Sequence, residues 1–232
     1  MRWSRQQEDA WERLQLGPRW QLKQPKSPAN KPVQAPAELT WISLREQVSG
    51  CQACSLAQSR KQTVFGSGTE QGDWALIGEA PGAEEDTQGE AFVGLAGQLL
   101  DQMLASMGWN RSRDLFIANV VKCRPPANRN PSAQECAACA GFLEAQLQLL
   151  RPKAVLILGR VAAQQLLGFE SSIASLRGKP QRLSIGAGVA SFEVPALVSY
   201  HPAYLLRHPE DKAKAWEDLN RFAQLLEEAR IS

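Results

Sequence analysis

The stretch from Gly78 to Gly97, GEAPGAEEDTQGEAFVGLAG, holds the densest set of groups that could bind a ligand. It follows an apolar run and contains the carboxylates Glu79 and Glu85 and the aromatic ring of Phe92. Its glycines permit positive φ and a close approach of the backbone to a ligand. In open α/β sheets, ligands bind where the strands end at their carboxyl edge. We therefore predict a ligand-binding loop here.

The cysteines have the spacing of metal ligands. Cys51 and Cys54 form a C-x-x-C pair, Cys123 follows a predicted strand, and Cys139 lies on the next predicted helix. Four thiolates bind either a tetrahedral zinc ion or an iron–sulfur cluster. A zinc ribbon normally has two closely spaced pairs, so the wide second spacing favours an iron–sulfur cluster over zinc. The fifth cysteine, Cys136, is predicted to be a small buried side chain outside the ligand set.

Alternating strand-like and helical segments must position these groups. Short apolar, β-branched runs suit buried parallel strands, and the amphipathic stretches between them suit helices. The predicted strands are residues 74–77, 115–121, 155–158 and 197–200, and the predicted helices are residues 44–56, 97–107, 132–150, 160–167 and 209–229. This alternation predicts an α/β protein, a three-layer α/β/α domain with a four-stranded, mostly parallel sheet.

The amino-terminal part differs in composition from the rest. Residues 1–37 are polar and interrupted by prolines, which predicts a flexible tail before a globular domain of residues 38–232. The net charge of +2 is small, so a polyanion would have to bind local basic clusters. No apolar run approaches the roughly 20 residues of a membrane helix, and the first residues lack the apolar core of a signal peptide. We therefore expect a cytoplasmic protein with reduced cysteines and no membrane partner.

Two further strings are NVVKCRPPANRNP at residues 119–131 and SYHPAYLLRHP at residues 199–209. Together with residues 78–97 and the four cysteines, they resemble the iron–sulfur (family 4) uracil-DNA glycosylases. The resemblance extends over residues 44–226 and implies a monomeric domain of uracil-DNA glycosylase-like fold. It implies hydrolysis of the N-glycosidic bond of uracil in DNA. It also implies a 4Fe-4S cluster on the four cysteines, with zinc as the alternative.

The resemblance implies how residues of these strings read a uracil that is flipped out of the DNA. Phe92 would stack on the base, and the Asn119 amide would pair with uracil O4 and N3–H. His201 would hydrogen-bond to uracil O2 and stabilise the negative charge on the departing base. Glu79 and Glu85 would orient either a water molecule or the loop.

Other loop positions have implied roles or depart from the family pattern. Ala80 and Gly82 would lend backbone N–H groups to the ligand. Ala80 stands where other branches of the superfamily carry an aspartate that activates water, so catalysis would depend on stabilising the leaving group. Ala91 and Leu95 replace a proline and a basic residue of the family loop. Leu95 removes a possible DNA contact, which would reduce affinity or activity.

The same resemblance implies contacts with the DNA backbone and the base stack. Leu205 would wedge into the gap that the flipped base leaves. The candidates for binding phosphate are the basic residues Arg207, Arg124, Arg129 and Arg177.

The tail carries a second resemblance. Residues 11–25, WERLQLGPRWQLKQP, resemble the N-terminal peptide of the bacterial DNA polymerase III psi subunit, which binds in the clamp-loader collar. Large aromatic side chains anchor interfaces, and the implied docking residues are Trp11, Leu14, Leu16, Trp20 and Leu22. Two functions therefore compete: a uracil-DNA glycosylase tethered to the replisome, or a non-catalytic psi-like accessory subunit of the clamp loader on a glycosylase fold.

Overall fold

The computed structural model of the protein describes residues 39–168, 171–186, 188 and 191–231. The predicted tail and its docking peptide lie outside these residues, and the boundary at residues 37 and 38 stays a prediction.

The described residues form one sheet of six strands. The strands are β1 (Ser67–Gly68), β2 (Trp74–Gly78), β3 (Leu115–Asn119), β4 (Ala154–Leu158), β5 (Pro180–Ile185) and β6 (Phe192–Ser199). Their order across the sheet is β1-β3-β2-β4-β6-β5. The four inner strands run parallel, and β1 and β5 pair antiparallel at the two edges. The predicted fold class is confirmed, and the predicted number of four strands is wrong.

The two edge strands differ from the inner ones in sequence pattern. The strand β1 has only two residues. In β5, polar residues such as Arg182 and Ser184 alternate with the buried Leu183 and Ile185. Half-exposed strands do not give the continuous apolar run of a central parallel strand. The four predicted strands are therefore the inner four.

Helices cover the sheet. They are α1 (Trp41–Ser49), α2 (Leu56–Ser59), α3 (Ala83–Gln88), α4 (Leu95–Ser106), α5 (Arg111–Asp114), α6 (Ala133–Leu150), α7 (Arg160–Leu167), α8 (Ile173–Leu176), α9 (Pro202–Arg207) and α10 (Lys212–Ile231), with 3₁₀ turns at Pro126–Asn128 and Pro209–Asp211. The predicted helix of residues 44–56 is wrong at its end, because α1 stops at Ser49 and Gly50 caps it. The C-x-x-C pair therefore lies in the loop that follows. Within the described residues, no helix has the length and apolarity to cross a membrane.

The core lies on both faces of the inner strands, and every residue of β2, β3 and β4 is buried. Successive side chains of a strand point to opposite faces. On β2, Ile77 therefore packs into one cluster with residues of α1 and α6, and Trp74 packs into the other with residues of α4 and α10. The ring of Trp74 contacts Phe222 at a centroid distance of 4.9 Å. Because the inner strands run parallel side by side, the loops at their carboxyl ends meet at one edge of the sheet.

Candidate active site

The loops that follow the inner strands enclose a cavity of about 580 Å³. The ends of β2 and β3 lie side by side, because Gly78 pairs with Asn119 in the sheet register. Nine of the residues predicted from the sequence line this cavity, namely Glu79, Ala80, Gly82, Glu85, Phe92, Asn119, Arg129, His201 and Arg207. The three sequence strings, which are far apart in the chain, therefore meet at one site.

The ring of Phe92 forms part of the wall. Its centroid lies 5.4 Å from that of the His201 ring, with 31° between the ring planes. Phe92 is buried and has a φ of 57°, in the left-handed region that bulky residues rarely adopt. Glycines make room for this arrangement. A Cβ on Gly78 would lie 2.6 Å from Phe92 Cζ, and one on Gly97 would lie 1.9 Å from the Phe92 carbonyl oxygen.

Asn119 presents an unpaired polar atom at the cavity. Its side chain is 2% exposed, and its Oδ1 has no hydrogen-bond partner among the residues that the structure describes. A buried acceptor without a partner is costly and calls for an explanation. An N–H group of a ligand in the cavity would satisfy it.

His201 is held as a neutral hydrogen-bond donor. It is the N-cap of α9, and its Nδ1 accepts a hydrogen bond of 3.2 Å from the main-chain N–H of Ala203. The neutral ring must then carry its proton on Nε2. Burial, reinforced by the charge of Arg207, lowers the pKa of His201 to about 4. The imidazole is therefore uncharged at neutral pH.

Glu85 organises the loop around Phe92. Its Oε1 accepts hydrogen bonds from the main-chain N–H groups of Val93 and Gly94, each 3.0 Å long. Its Oε2 accepts one of 3.1 Å from Gly82 N–H. Two roles are predicted for this carboxylate, and these contacts fit the second one, in which Glu85 orients the loop. The N–H of Gly82, predicted to bind the ligand, is bonded to Glu85 in this structure, and its role towards a ligand stays a prediction.

The second predicted carboxylate, Glu79, faces a basic residue that sequence reasoning missed. Burial raises the pKa of Glu79, and the charge of Arg160 acts in the opposite direction. Arg160 opens α7 and lines the cavity together with Gly159. The apolar strand β4 is followed by Gly159 and then by the polar first residue of a helix, Arg160. This pattern is the signal that could have identified the position.

Two of the residues predicted to contact DNA make contacts inside the fold instead. Leu205 is buried against Tyr200 and Ala215, so its prediction as a wedge is wrong. The next side chain, Leu206, is 46% exposed. Arg177 lies 2.8 Å from the buried carboxylate of Asp218, so the prediction that it binds phosphate is wrong as well.

The remaining predicted arginines differ in their surroundings. Arg207 lines the cavity, and no carboxylate in the described part of the chain forms an ion pair with it. Arg129 donates two hydrogen bonds of 2.8 and 2.7 Å to Glu135 and thereby lowers the pKa of that carboxyl to about 2. Arg124 donates to Asn128 over 2.7 Å and does not line the cavity.

The predicted metal ligands are gathered around a second, small cavity. Its lining includes the four cysteines Cys51, Cys54, Cys123 and Cys139. Arg60 donates to Cys123 Sγ over 3.1 Å, and the main-chain N–H of Lys122 donates to Cys139 Sγ over 3.3 Å. Burial raises the pKa of the Cys139 thiol to about 11. Cys136, the cysteine predicted to stand apart, does not line this cavity. Within the described residues, no three His, Cys, Asp or Glu side chains are arranged to hold a single metal ion.

A buried lysine connects the two cavities. Lys122 Nζ donates to the main-chain oxygen of Asn119 over 2.8 Å and to Gln146 Oε1 over 2.6 Å. Gln146 in turn donates to the main-chain oxygen of Phe65 over 2.8 Å. Burial lowers the pKa of Lys122 to about 8. The segment between Asn119 and Cys123 thus joins the end of β3 to the cysteine group.

Comparison with known proteins agrees with this geometry. A family model described as "Uracil DNA glycosylase superfamily" matches residues 65–220. The Type-4 uracil-DNA glycosylase of Pyrobaculum aerophilum is 38% identical over 179 residues, which cover 77% of this chain and 91% of the relative. That of Archaeoglobus fulgidus is 37% identical over 77% of this chain and 89% of its own, and that of Thermotoga maritima is 39% identical over 73% and 84%.

The chain belongs to the type-4 branch of the uracil-DNA glycosylase superfamily. The resemblance predicted from the three strings is therefore confirmed. The part that matches the superfamily model contains Phe92, Asn119 and His201, together with Cys123 and Cys139. The C-x-x-C pair precedes the matched residues.

Proposed function

We propose that this chain removes uracil from DNA by hydrolysing the N-glycosidic bond of a flipped nucleotide. The observation that carries the proposal is the unpaired Oδ1 of Asn119, buried at a cavity that the rings of Phe92 and His201 also line. The relatives named above are uracil-DNA glycosylases, which supports the same substrate.

The cavity can select uracil by its edge. With the base stacked on Phe92, Asn119 Oδ1 accepts the uracil N3–H and Asn119 Nδ2 donates to uracil O4. Cytosine has an acceptor at N3 and an amino group at C4, so with the amide in this orientation it leaves both ends of the amide unpaired. Buried polar groups without partners are what make such a site discriminate strongly.

His201 supplies the main electrostatic contribution to bond cleavage. As the bond between C1′ and N1 breaks, its electron pair moves onto the uracil ring and O2 becomes negative. The Nε2–H of the neutral imidazole donates to that oxygen, in a site already fixed before the reaction. Glu79, at the wall of the cavity, orients the water molecule that adds to C1′.

The rim of the cavity provides contacts to the DNA strand. Arg207 and Arg160 line the cavity and suit phosphate groups on either side of the flipped nucleotide. Leu206 is the exposed apolar side chain of α9, and we assign to it the gap-filling role that Leu205 cannot take.

The test is cleavage of a uracil-containing oligonucleotide. The full chain is incubated with the labelled strand, and hot alkali then breaks it at any abasic site. We expect strand breaks only at uracil, and none at cytosine or thymine in the same position. Asn119→Ala should abolish the breaks, and Asn220→Ala, an exposed asparagine on α10, should not. An intact uracil strand with the unaltered chain would refute the proposed activity.

We also propose that Cys51, Cys54, Cys123 and Cys139 hold a 4Fe-4S cluster. Four sulfurs around one cavity fit this donor set. The wide spacing between Cys123 and Cys139 favours the cluster over a zinc ribbon, which normally has two closely spaced pairs. The cluster would supply iron–thiolate bonds that tie the loop after α1 to the end of β3 and to α6.

Iron and sulfide analysis with a visible absorbance spectrum tests this assignment. The purified protein should contain both elements and show the broad visible band of a cluster. Cys139→Ser should lose them. Cys136→Ser, one turn earlier on α6 and also buried, should keep them. Stoichiometric zinc without iron would contradict the assignment.

We propose that residues 11–25 bind clamp-loader subunits, a partner that would place the enzyme in the cytoplasm. The support is the Trp- and Leu-rich sequence of this segment alone. Full-length protein should capture clamp-loader subunits, and the double change Trp11→Ala with Trp20→Ala should abolish capture. Trp3→Ala, outside the segment, is the matched control. Capture without uracil excision would favour the non-catalytic accessory subunit.

A further inference from the structure

The backbone at Phe92 adopts a conformation that its bulky side chain disfavours, although the ring packs into the core on one side. Its φ of 57° is disfavoured for an aromatic residue. Core residues are normally held by packing on all sides of the ring. A ring that stacks on a base must leave one face open to the cavity. Hydrogen bonds to the main chain on both sides of Phe92 therefore add to the packing of its ring against the core.

Arg111 provides this support from the carbonyl side. Its Nη1 donates to the main-chain oxygen of Ala91 over 3.2 Å, and its Nη2 donates to that of Phe92 over 3.1 Å. Asp101 holds the guanidinium in place through Nε at 2.9 Å and Nη2 at 2.5 Å. Ser67 also donates to the Ala91 oxygen, over 3.0 Å.

Glu85 supports the same loop from the amide side, through the N–H groups of Val93 and Gly94. The carbonyls of residues 91 and 92 are thus bound by a cation, and the amides of residues 93 and 94 by an anion. Charged partners make hydrogen bonds stronger than neutral ones. Arg111 and Glu85 therefore fix consecutive peptide groups on both sides of Phe92.

We propose that Arg111 is a positioning residue for the uracil-stacking ring. It does not line the cavity and acts on the base only through the main chain at Phe92. A lysine cannot replace it fully, because the planar guanidinium reaches two carbonyls and one carboxylate at once. The inference rests on the proposed function, in which Phe92 stacks on uracil.

A double-mutant cycle on the full chain tests this inference. The variants are Arg111→Ala, Phe92→Ala and the two combined, measured by kcat and KM on a uracil-containing oligonucleotide and by the inhibition constant of free uracil. Loss of base stacking on an aromatic ring weakens binding by about tenfold or more. We expect Arg111→Ala to raise the uracil inhibition constant by about tenfold. The double variant should bind uracil no more weakly than Phe92→Ala alone.

Further variants separate positioning from folding. Arg113→Ala is the matched control, because Arg113 lies on the same helix with a 71% exposed side chain and pairs only with Asp114 among carboxylates of the described residues. It should leave the uracil inhibition constant unchanged. If Arg111→Ala does not fold, the variants Arg111→Lys and Asp101→Asn are measured in its place. Each should raise the uracil inhibition constant by less than about tenfold.

The outcomes distinguish this inference from the function on which it rests. Additive losses in the double variant, or an unchanged uracil inhibition constant in a folded Arg111 variant, would overturn the positioning role and leave the glycosylase activity standing. Failure of the unaltered chain to release uracil would overturn both.

Discussion

Substitution of Gly97 by alanine probes how tightly α4 packs against the loop of Phe92. A Cβ at this position would lie 1.9 Å from the Phe92 carbonyl oxygen and 2.2 Å from its carbonyl carbon. Both are backbone atoms and cannot rotate away. Gly141 offers a matched control on α6, because a Cβ there has nothing within 4 Å.

The two substitutions should change stability in opposite directions. Alanine is favoured over glycine inside a helix by about 1 kcal/mol, so Gly141→Ala should raise the free energy of unfolding by about that amount. At Gly97, ordinary contact begins at 3.4 Å, so the loop must shift by about 1.5 Å. A clash with backbone atoms lies towards the upper end of the roughly 1–3 kcal/mol that overpacking costs, so it outweighs the helix gain of about 1 kcal/mol.

The activity should change far more than the stability. A displacement of about 1 Å of a binding group can reduce catalysis about 100-fold. We therefore expect kcat/KM of Gly97→Ala to fall by about 100-fold or more at a temperature where the variant is still folded. Urea unfolding and uracil release measured side by side on both variants provide the comparison. Equal activities of the Gly97 and Gly141 variants would refute the close packing against Phe92.

Three further predictions concern single side chains. Asn119→Ala removes a buried acceptor without a partner, so urea unfolding should show unchanged or higher stability, while uracil release falls about 100-fold or more. Because the pKa of His201 falls from 6.5 to about 4 on folding, its contribution to stability is complete above pH 6.5 and is lost as the pH falls towards 4. The pH–rate profile should show no titration of His201 between about pH 5 and 8, and a step near pH 6.5 that disappears in His201→Gln would contradict this. Arg177→Ala removes the ion-pair partner of the buried Asp218, which keeps its hydrogen bond from Ser199. The free energy of unfolding should fall by about 3 kcal/mol, with DNA affinity in a filter-binding assay unchanged. A selective loss of DNA affinity would restore the phosphate role.

The inner strands and the convergence of the site could be predicted from the sequence. Continuous apolar runs identify buried parallel strands, and the carboxyl ends of such strands meet at one edge. Phe92, Asn119 and His201 therefore line one cavity, as the strings at the ends of β2, β3 and β6 predict. The predicted helix of residues 132–150 is likewise observed as α6, and a capping box between Ser132 and Glu135 begins it.

Other features depend on geometry that the sequence does not contain. Neighbouring residues of a helix point in directions about 100° apart. Two adjacent leucines therefore face different sides, and the sequence does not show that Leu205 is the buried one and Leu206 the exposed one. Arg177 pairs with Asp218, a partner 41 residues away. Arg111 donates to main-chain oxygens, which every residue has. The residue types in the sequence therefore do not predict these contacts.

The most direct test of the central claim is the identity of the base that the chain releases. The full chain is mixed in excess with duplexes that differ only in carrying uracil, cytosine or thymine at one position, and mass spectrometry identifies any free base. Release of uracil alone, lost in Asn119→Ala, is the predicted result. No release of uracil, or equal release of cytosine, would contradict a cavity built around the Asn119 amide.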